Sequence, residues 1–196
     1  MLPIEQLQEL IKGKKVAFIG AGVSHKRCIA QFVELGAQVT LCDQKKSLDD
    51  FGDYADTLRR LNVNLSLGEH YTDGFAGQDI IMRTPGYEYY NPELQAARAR
   101  GIKAIERSVM LGYISRTHSQ SIGVAGTHGK TTTTSMCTHI IMAARMDPTV
   151  MIGGTLPLLH AGYRVGQGDT IILESCEYCN SFLSFFPTVA VILNVD

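Results

Sequence analysis

The 196-residue sequence predicts an α/β protein built from two consecutive open, mostly parallel sheets. Three observations carry this reading. Short apolar runs alternate with helical patterns from residue 15 onward, the mark of parallel strands joined by right-handed crossover helices. Two glycine-rich turns, GAGVSH at 20–25 and GTHGKT at 126–131, each follow an apolar run and open a helix. Between them SRTHSQ (115–120) is a polar break, after which the strand–turn–helix pattern starts again. The boundary is therefore placed between residues 118 and 119, giving domains at 1–118 and 119–196.

Each element has its own local cause. MLPIEQLQELIKGKK reads as an amphipathic helix. KKVAFIG is a short strand, HKRCIAQFVELG a helix stopped by Gly36, and AQVTLCD the next strand. YADTLRRLN follows as helix, VNLSLG as strand, and DIIMRTPG as a buried strand entering a turn. NPELQAARARG starts with Asn91 as N-cap and Pro92 at the first helical position, and stops at Gly101. After the break come the strand SIGVAG, the helix KTTTTSMCTHIIMAARM, a glycine pair at 153–154, and the strands TIILES and TVAVILNVD. The second unit offers few elements to cover both faces of a parallel sheet, so more chain is expected beyond residue 196.

Composition narrows the function classes. A net charge of −1 gives no electrostatic basis for binding nucleic acid or an anionic membrane. The apolar runs are far shorter than the ~20 residues of a membrane-spanning helix, and the N-terminus lacks the apolar stretch of a signal peptide. A cytoplasmic protein without membrane insertion is expected. The five cysteines fit reduced thiols. Cys176 and Cys179 form a CxxC without the second pair that a zinc ribbon needs, so they read as ordinary thiols.

The first glycine loop has two glycines of a G-x-G-x-x-G fingerprint, Gly20 and Gly22, with His25 where the third would stand. Gly20 and Gly22 let the backbone approach a diphosphate, and the helix beginning at Val23 and Ser24 offers unsatisfied N–H groups. Asp43 ends the next strand, where a ribose-binding acid often sits. The first domain is thus Rossmann-like. Replacing the third glycine is expected to loosen helix–strand packing, which weakens a claim for NAD. Thr84, Pro85 and Gly86 form a second turn at a strand's carboxyl end, where ligand crevices of open α/β sheets lie; an ordinary Pro-Gly turn is the alternative.

The second loop is more specific. It departs from a strict G-x-x-x-x-G-K-[ST] pattern only at Val124. Backbone N–H groups of Gly126, Thr127, His128, Gly129 and Lys130 can cradle phosphates, with Lys130 neutralising the terminal oxygens and Thr131 ligating Mg²⁺. Thr132 continues a run of β-branched residues that makes a poor helix start on propensity, so a ligand explains it better than capping does. Glu174 ends an apolar strand, where a carboxylate can hold a metal; Glu177 follows three residues later, a candidate for metal or a substrate amine. His128 can touch phosphate or substrate, or have no special role.

Taken with TPG…NPELQAARARGI, IGGTL and ESCEYCNSFLSFFPTVAVILNVD, the two loops make the chain resemble the Mur ligases, ATP-dependent amino-acid ligases of peptidoglycan synthesis. The resemblance covers the whole chain. It implies a first domain that binds the UDP part of a UDP-N-acetylmuramoyl substrate through Gly20, Gly22, Val23, Ser24, Asp43 and the Thr84–Pro85–Gly86 turn. It implies a second domain that is part of a P-loop, Mg-ATP-binding unit, with Lys130 and Glu174 catalytic, Thr131 and Glu174 on Mg²⁺, and Asn194 near the nucleotide. The implied chemistry is phosphorylation of the substrate carboxylate by ATP, then attack of an amino acid's amine on the acyl phosphate. In the family an Asp-His motif, the rest of the ATP domain and a C-terminal domain would follow Asp196. This chain is then expected to be a fragment that binds the UDP substrate without turnover. THGK, ERSVMLGYI and ESCEYCNSFL resemble the L-alanine-adding members, whereas GAGVS and RTPG resemble the D-glutamate-adding ones; L-alanine is favoured because the former lie near the chemistry. Two other classes stay open: an NAD(P)-binding oxidoreductase and a non-catalytic nucleotide-binding module.

Overall fold

The computed structural model describes residues 3–84, 87 and 90–195, with the side chains of residues 3, 4, 7, 23, 24, 27, 178 and 179 outside that description. The chain forms two compact units, one of Gln8–Arg107 and one of Ser108–Asp196 together with Met1–Leu7. The division falls ahead of residue 118 because the helix at Arg107–Arg116 goes with the second unit.

After the helix α1 (Pro3–Ile11), the first unit carries β1 (Lys15–Ile19), α2 (Val23–Glu34), β2 (Gln38–Asp43), α3 (Tyr54–Arg60), β3 (Asn64–Leu67), β4 (Ile80–Arg83), α4 (Pro92–Ala99) and β5 (Lys103–Glu106). Its five strands are all parallel, in the order β3-β2-β1-β4-β5. The strand order reverses between β1 and β4, and a crevice at the carboxyl ends of these two strands is where such sheets take ligands. Val16, Ala17, Phe18, Leu41, Ile81 and Met82 are buried on these central strands, the continuous apolar pattern of a sheet covered on both faces. Two sequence expectations are met atom by atom. The Asn91 side chain accepts from the N–H groups of Glu93 (3.1 Å) and Leu94 (3.2 Å) at the start of α4. Gly36 takes φ +89° just past α2, a conformation glycine adopts without penalty.

The second unit carries α5 (Arg107–Arg116), β6 (Gln120–Ala125), α6 (Lys130–Ala143), β7 (Thr149–Leu156), β8 (Ala161–Arg164), β9 (Thr170–Glu174) and β10 (Val189–Ile192). Its sheet order is β10-β6-β9-β7-β8, parallel except for β8, which pairs antiparallel with β7. Sequence reading left out β5, α5 and β8, and noted the 153–154 glycines only as a pair; β7 runs straight through them. The polar stretch 115–120 is only partly exposed: Arg116, Ser119 and Gln120 face solvent. Ser115 and His118 are buried, and the His118 ring approaches the Ile114 carbonyl (3.0 Å) and the Thr149 hydroxyl (3.4 Å). Polar residues satisfied inside a fold look like loop in a sequence pattern. TVAVILNVD is a shorter strand than expected, and β10 lies at the sheet edge with Val189 and Ile192 exposed.

Candidate functional site

Each unit places a glycine turn at the carboxyl end of a strand, and each site is built within its own unit.

In the first unit, Gly20 leaves β1 with φ +76°, and its N–H donates to the Cys42 carbonyl (2.8 Å). Asp43, ending the adjacent β2, accepts from the Ala21 N–H (3.1 Å) with one oxygen and from the Lys45 N–H (3.0 Å) with the other. The acid that sequence reading assigned to a ribose pins the glycine turn in this structure. Gly22 is the N-cap of α2 with no side-chain cap, and a Cβ built there would meet open space. No side chain therefore caps the first N–H groups of α2. The side chains of Val23 and Ser24 fall outside the described residues, as do Pro85 and Gly86. Thr84 follows β4, its carbonyl accepting from the Tyr87 N–H (3.1 Å) and the Arg83 guanidinium (3.3 Å).

His25 corrects an expectation. Its ring does not loosen the packing of α2 on the sheet: it is fully buried, edge-on to Phe18 at 5.3 Å, with Nδ1 2.9 Å from the Gly20 carbonyl. The imidazole fills the space over β1 and staples the turn from below. Burial holds its pKa below the ordinary histidine value, against opposing contributions from the carbonyls of Gly20, Ile19 and Arg83. Sequence reading also missed a half-buried ion pair, Arg83–Glu106 (2.8 Å), formed by register partners at the ends of β4 and β5. The cross-strand register would have revealed it, but β5 was not recognised.

In the second unit, the loop between β6 and α6 needs glycine twice. Gly126 has φ +141°, and a Cβ there would sit 3.1 Å from the Leu193 side chain and 3.2 Å from Asn194. Gly129, the N-cap of α6, has φ +83° and no side-chain cap. The first N–H groups of this fourteen-residue helix are therefore not taken by a capping side chain, and the macrodipole adds its positive end there. Lys130 Nζ donates to the carbonyls of Gly126 (2.6 Å) and Thr127 (3.1 Å) and pairs with Glu177 (2.8 Å). Hydrogen bonding between the two raises the Lys130 pKa and lowers that of Glu177. The His128 backbone is clasped by Asn194, whose Oδ1 accepts from its N–H (3.0 Å) and whose Nδ2 donates to its carbonyl (3.2 Å).

Thr131 Oγ1 donates to Glu174 Oε1 (2.9 Å), and the other carboxylate oxygen accepts from the Gly153 N–H (2.7 Å). The topology accounts for this meeting: β9 is the parallel neighbour of β6, with Val124 and Glu174 in register, so the strand-end carboxylate lies beside the loop. The threonine run has a structural use beyond the loop. Thr134 and Thr138 are buried and return their hydroxyls to the carbonyls of Lys130 and Thr134, both at 2.8 Å. Thr132, assigned to the nucleotide from sequence, lies in the first turn of α6. Among the described residues no group of three His, Cys, Asp or Glu is arranged to hold a metal. Thr131 and Glu174 are hard oxygen donors of the kind that could hold Mg²⁺, which takes one or two protein oxygens and otherwise water and phosphate.

A Rossmann-like parallel sheet, followed by a second sheet with a glycine loop and an adjoining strand-end glutamate, places the chain in the α/β class. Comparison with known proteins makes the relationship specific. Residues 14–106 match the family model "Mur ligase MurD-like, N-terminal domain". The chain is 39% identical over 184 residues to a UDP-N-acetylmuramate–L-alanine ligase of Clostridium perfringens, and equally so to that of Clostridium tetani. In each case the match takes in 93% of this chain and 39% of the relative, so the chain spans about two-fifths of their length. Among solved structures, a UDP-N-acetylmuramate:L-alanyl-γ-D-glutamyl-meso-diaminopimelate ligase of Neisseria superposes with TM-score 0.73 at 25% identity, over 94% of this chain and 61% of that one. A UDP-N-acetylmuramate–alanine ligase of Thermotoga maritima gives 0.66 at 26%, over 91% and 41%.

Proposed function

We propose that the chain belongs to an ATP-dependent ligase that joins L-alanine to UDP-N-acetylmuramate in peptidoglycan precursor synthesis, a cytoplasmic reaction. The observation that carries this reading is the Thr131–Glu174–Lys130 arrangement around the Gly126–Gly129 loop, in a chain whose curated relatives are L-alanine ligases. In this reading the N–H groups of the loop and of α6 cradle the phosphates of ATP, and Thr131 and Glu174 hold Mg²⁺. ATP supplies a phosphoryl group that turns the substrate carboxylate into a good acyl donor. Lys130 turns from Glu177 to the terminal phosphate, where its charge offsets the negative charge of transfer. Glu177 is then free to hold the incoming ammonium group. The first unit binds the UDP moiety at the turns after β1 and β4, with the diphosphate over Gly20, Gly22 and the start of α2 and the uridine side towards Asp43.

Thermal shift of the full chain tests this. A ligand at a hundred times its dissociation constant adds about 2.7 kcal/mol, roughly 5–10 °C for a chain of this size. UDP-N-acetylmuramate and Mg-ATP are each expected to raise the midpoint. A response to the L-alanyl derivative in place of UDP-N-acetylmuramate would move the assignment to D-glutamate addition. A response to NAD alone would refute the ligase reading in favour of an oxidoreductase.

A further inference from the structure

The glycine pair on β7 lies against the carboxylate assigned to Mg²⁺, and neither glycine is explained by a turn. Neither takes a positive φ, so the backbone at 153 and 154 is one that any residue can adopt. What glycine provides here is the absence of a side chain. A Cβ at Gly153 would lie 2.8 Å from Glu174 Oε1 and 3.2 Å from both Cδ and Oε2, and one at Gly154 would lie 3.3 Å from the Thr131 methyl. The ladder explains why the Gly153 N–H is available. The β7–β9 register is recorded only as far as Met151↔Leu173, and on the other side the β7–β8 register shifts between Met151 and Leu156. Gly153 falls past the first and inside the second, and its N–H donates to Glu174 Oε2 at 2.7 Å.

We propose that Gly153 is a positioning residue for the metal carboxylate: its backbone N–H fixes one oxygen of Glu174 and its missing side chain leaves room for the other to face the cation. This rests on the Mg-nucleotide reading above. The two groups that now hold Glu174 differ in kind. Thr131 can turn its oxygen to a cation, whereas a peptide N–H has no lone pair for a metal and stays on the carboxylate when one binds. Gly153 is therefore the anchor that persists through metal binding, and the one that sets where Glu174 points.

The test is binding of a fluorescent ATP analogue to the full chain, titrated with Mg²⁺ and repeated in EDTA. Gly153→Ala is expected to raise the Mg²⁺ concentration for half-saturation by about tenfold or more, the usual cost of disturbing a group that orients a metal ligand. Binding in EDTA is expected to stay within about twofold of the parent chain, which a general loss of structure would not permit. The proposal predicts that Glu174→Gln weakens the Mg²⁺ response and that adding Gly153→Ala to it does nothing more, since both act through one carboxylate. If Gly153→Ala does not fold, Glu174→Ala in the same chain removes the clash and is expected to restore folding; failure to restore it overturns the proposal. An unchanged Mg²⁺ titration in Gly153→Ala, with the parent chain responding normally, overturns the proposal alone. A parent chain that binds the analogue equally with and without Mg²⁺ overturns the metal reading itself.

Discussion

Asn194 gives the most direct test of how the Gly126–Gly129 loop, proposed above to hold phosphate, is kept in place. It reaches the loop from 66 residues away and makes two hydrogen bonds to the backbone of His128. Both are exposed, so each is worth the low end of the usual range, about 0.5 kcal/mol, and the pair about 1 kcal/mol. If that free energy preorganises the loop, Asn194→Ala should weaken binding of inorganic tripolyphosphate or ATP about fivefold. Asn194→Asp separates preorganisation from charge. It keeps an acceptor for the His128 N–H, loses the donor to the His128 carbonyl, and brings a negative charge next to a site for anions. Its affinity should therefore fall below that of Asn194→Ala at low ionic strength, and the gap should narrow as salt rises. Isothermal titration at two salt concentrations measures both. Binding by Asn194→Asp as tight as that of the parent chain would refute the reasoning, because neither the lost donor nor the added charge would then be felt at the loop.

Two further outcomes follow from burial. His25 is buried in its neutral form with a pKa below the unfolded value of about 6.5, so the unfolded chain binds the proton first as pH falls. Its contribution to stability is thus fully present above that value and is lost as pH drops from there towards the lower folded pKa. Denaturant unfolding of parent and His25→Gln between pH 7.5 and 5 should show a steeper loss in the parent, and equal slopes would contradict it. Ile172, fully buried on β9 against Val150, Ile152 and Leu156, should cost about 2–5 kcal/mol as Ile172→Ala; a change under 1 kcal/mol would mean the second unit's core is not packed as described.

Much of the local structure was legible because its causes are local. Asn91 followed by Pro92 announces a helix start through groups two and three residues apart, and Gly36 marks a helix end because φ > 0 suits glycine. The alternation of apolar runs and helices gave the parallel sheets, and spacing alone marked Gly129, Lys130 and Thr131 as a glycine turn opening a helix, which is how α6 begins. The failures have equally definite causes. α5 was hidden because Ser108 and Ser115 are polar yet buried, and β7 because a glycine pair normally interrupts a strand pattern. At His25 the fingerprint rule pointed to loosened packing; the ring instead found a niche beside Phe18 and a carbonyl to bond.

The sequence by itself determined the kind of elements, the two glycine turns and the residue types able to meet phosphate and metal. It did so because backbone conformation and capping depend on neighbours a few residues apart. Only the tertiary structure decided which of those residues meet. Placing β6 between β9 and β10 brings Glu174 to Thr131 and Asn194 to His128, and extending β7 beyond its register with β9 brings the Gly153 N–H to Glu174. Strand order is settled by the packing of whole sheets, so no local window of the chain contains those contacts.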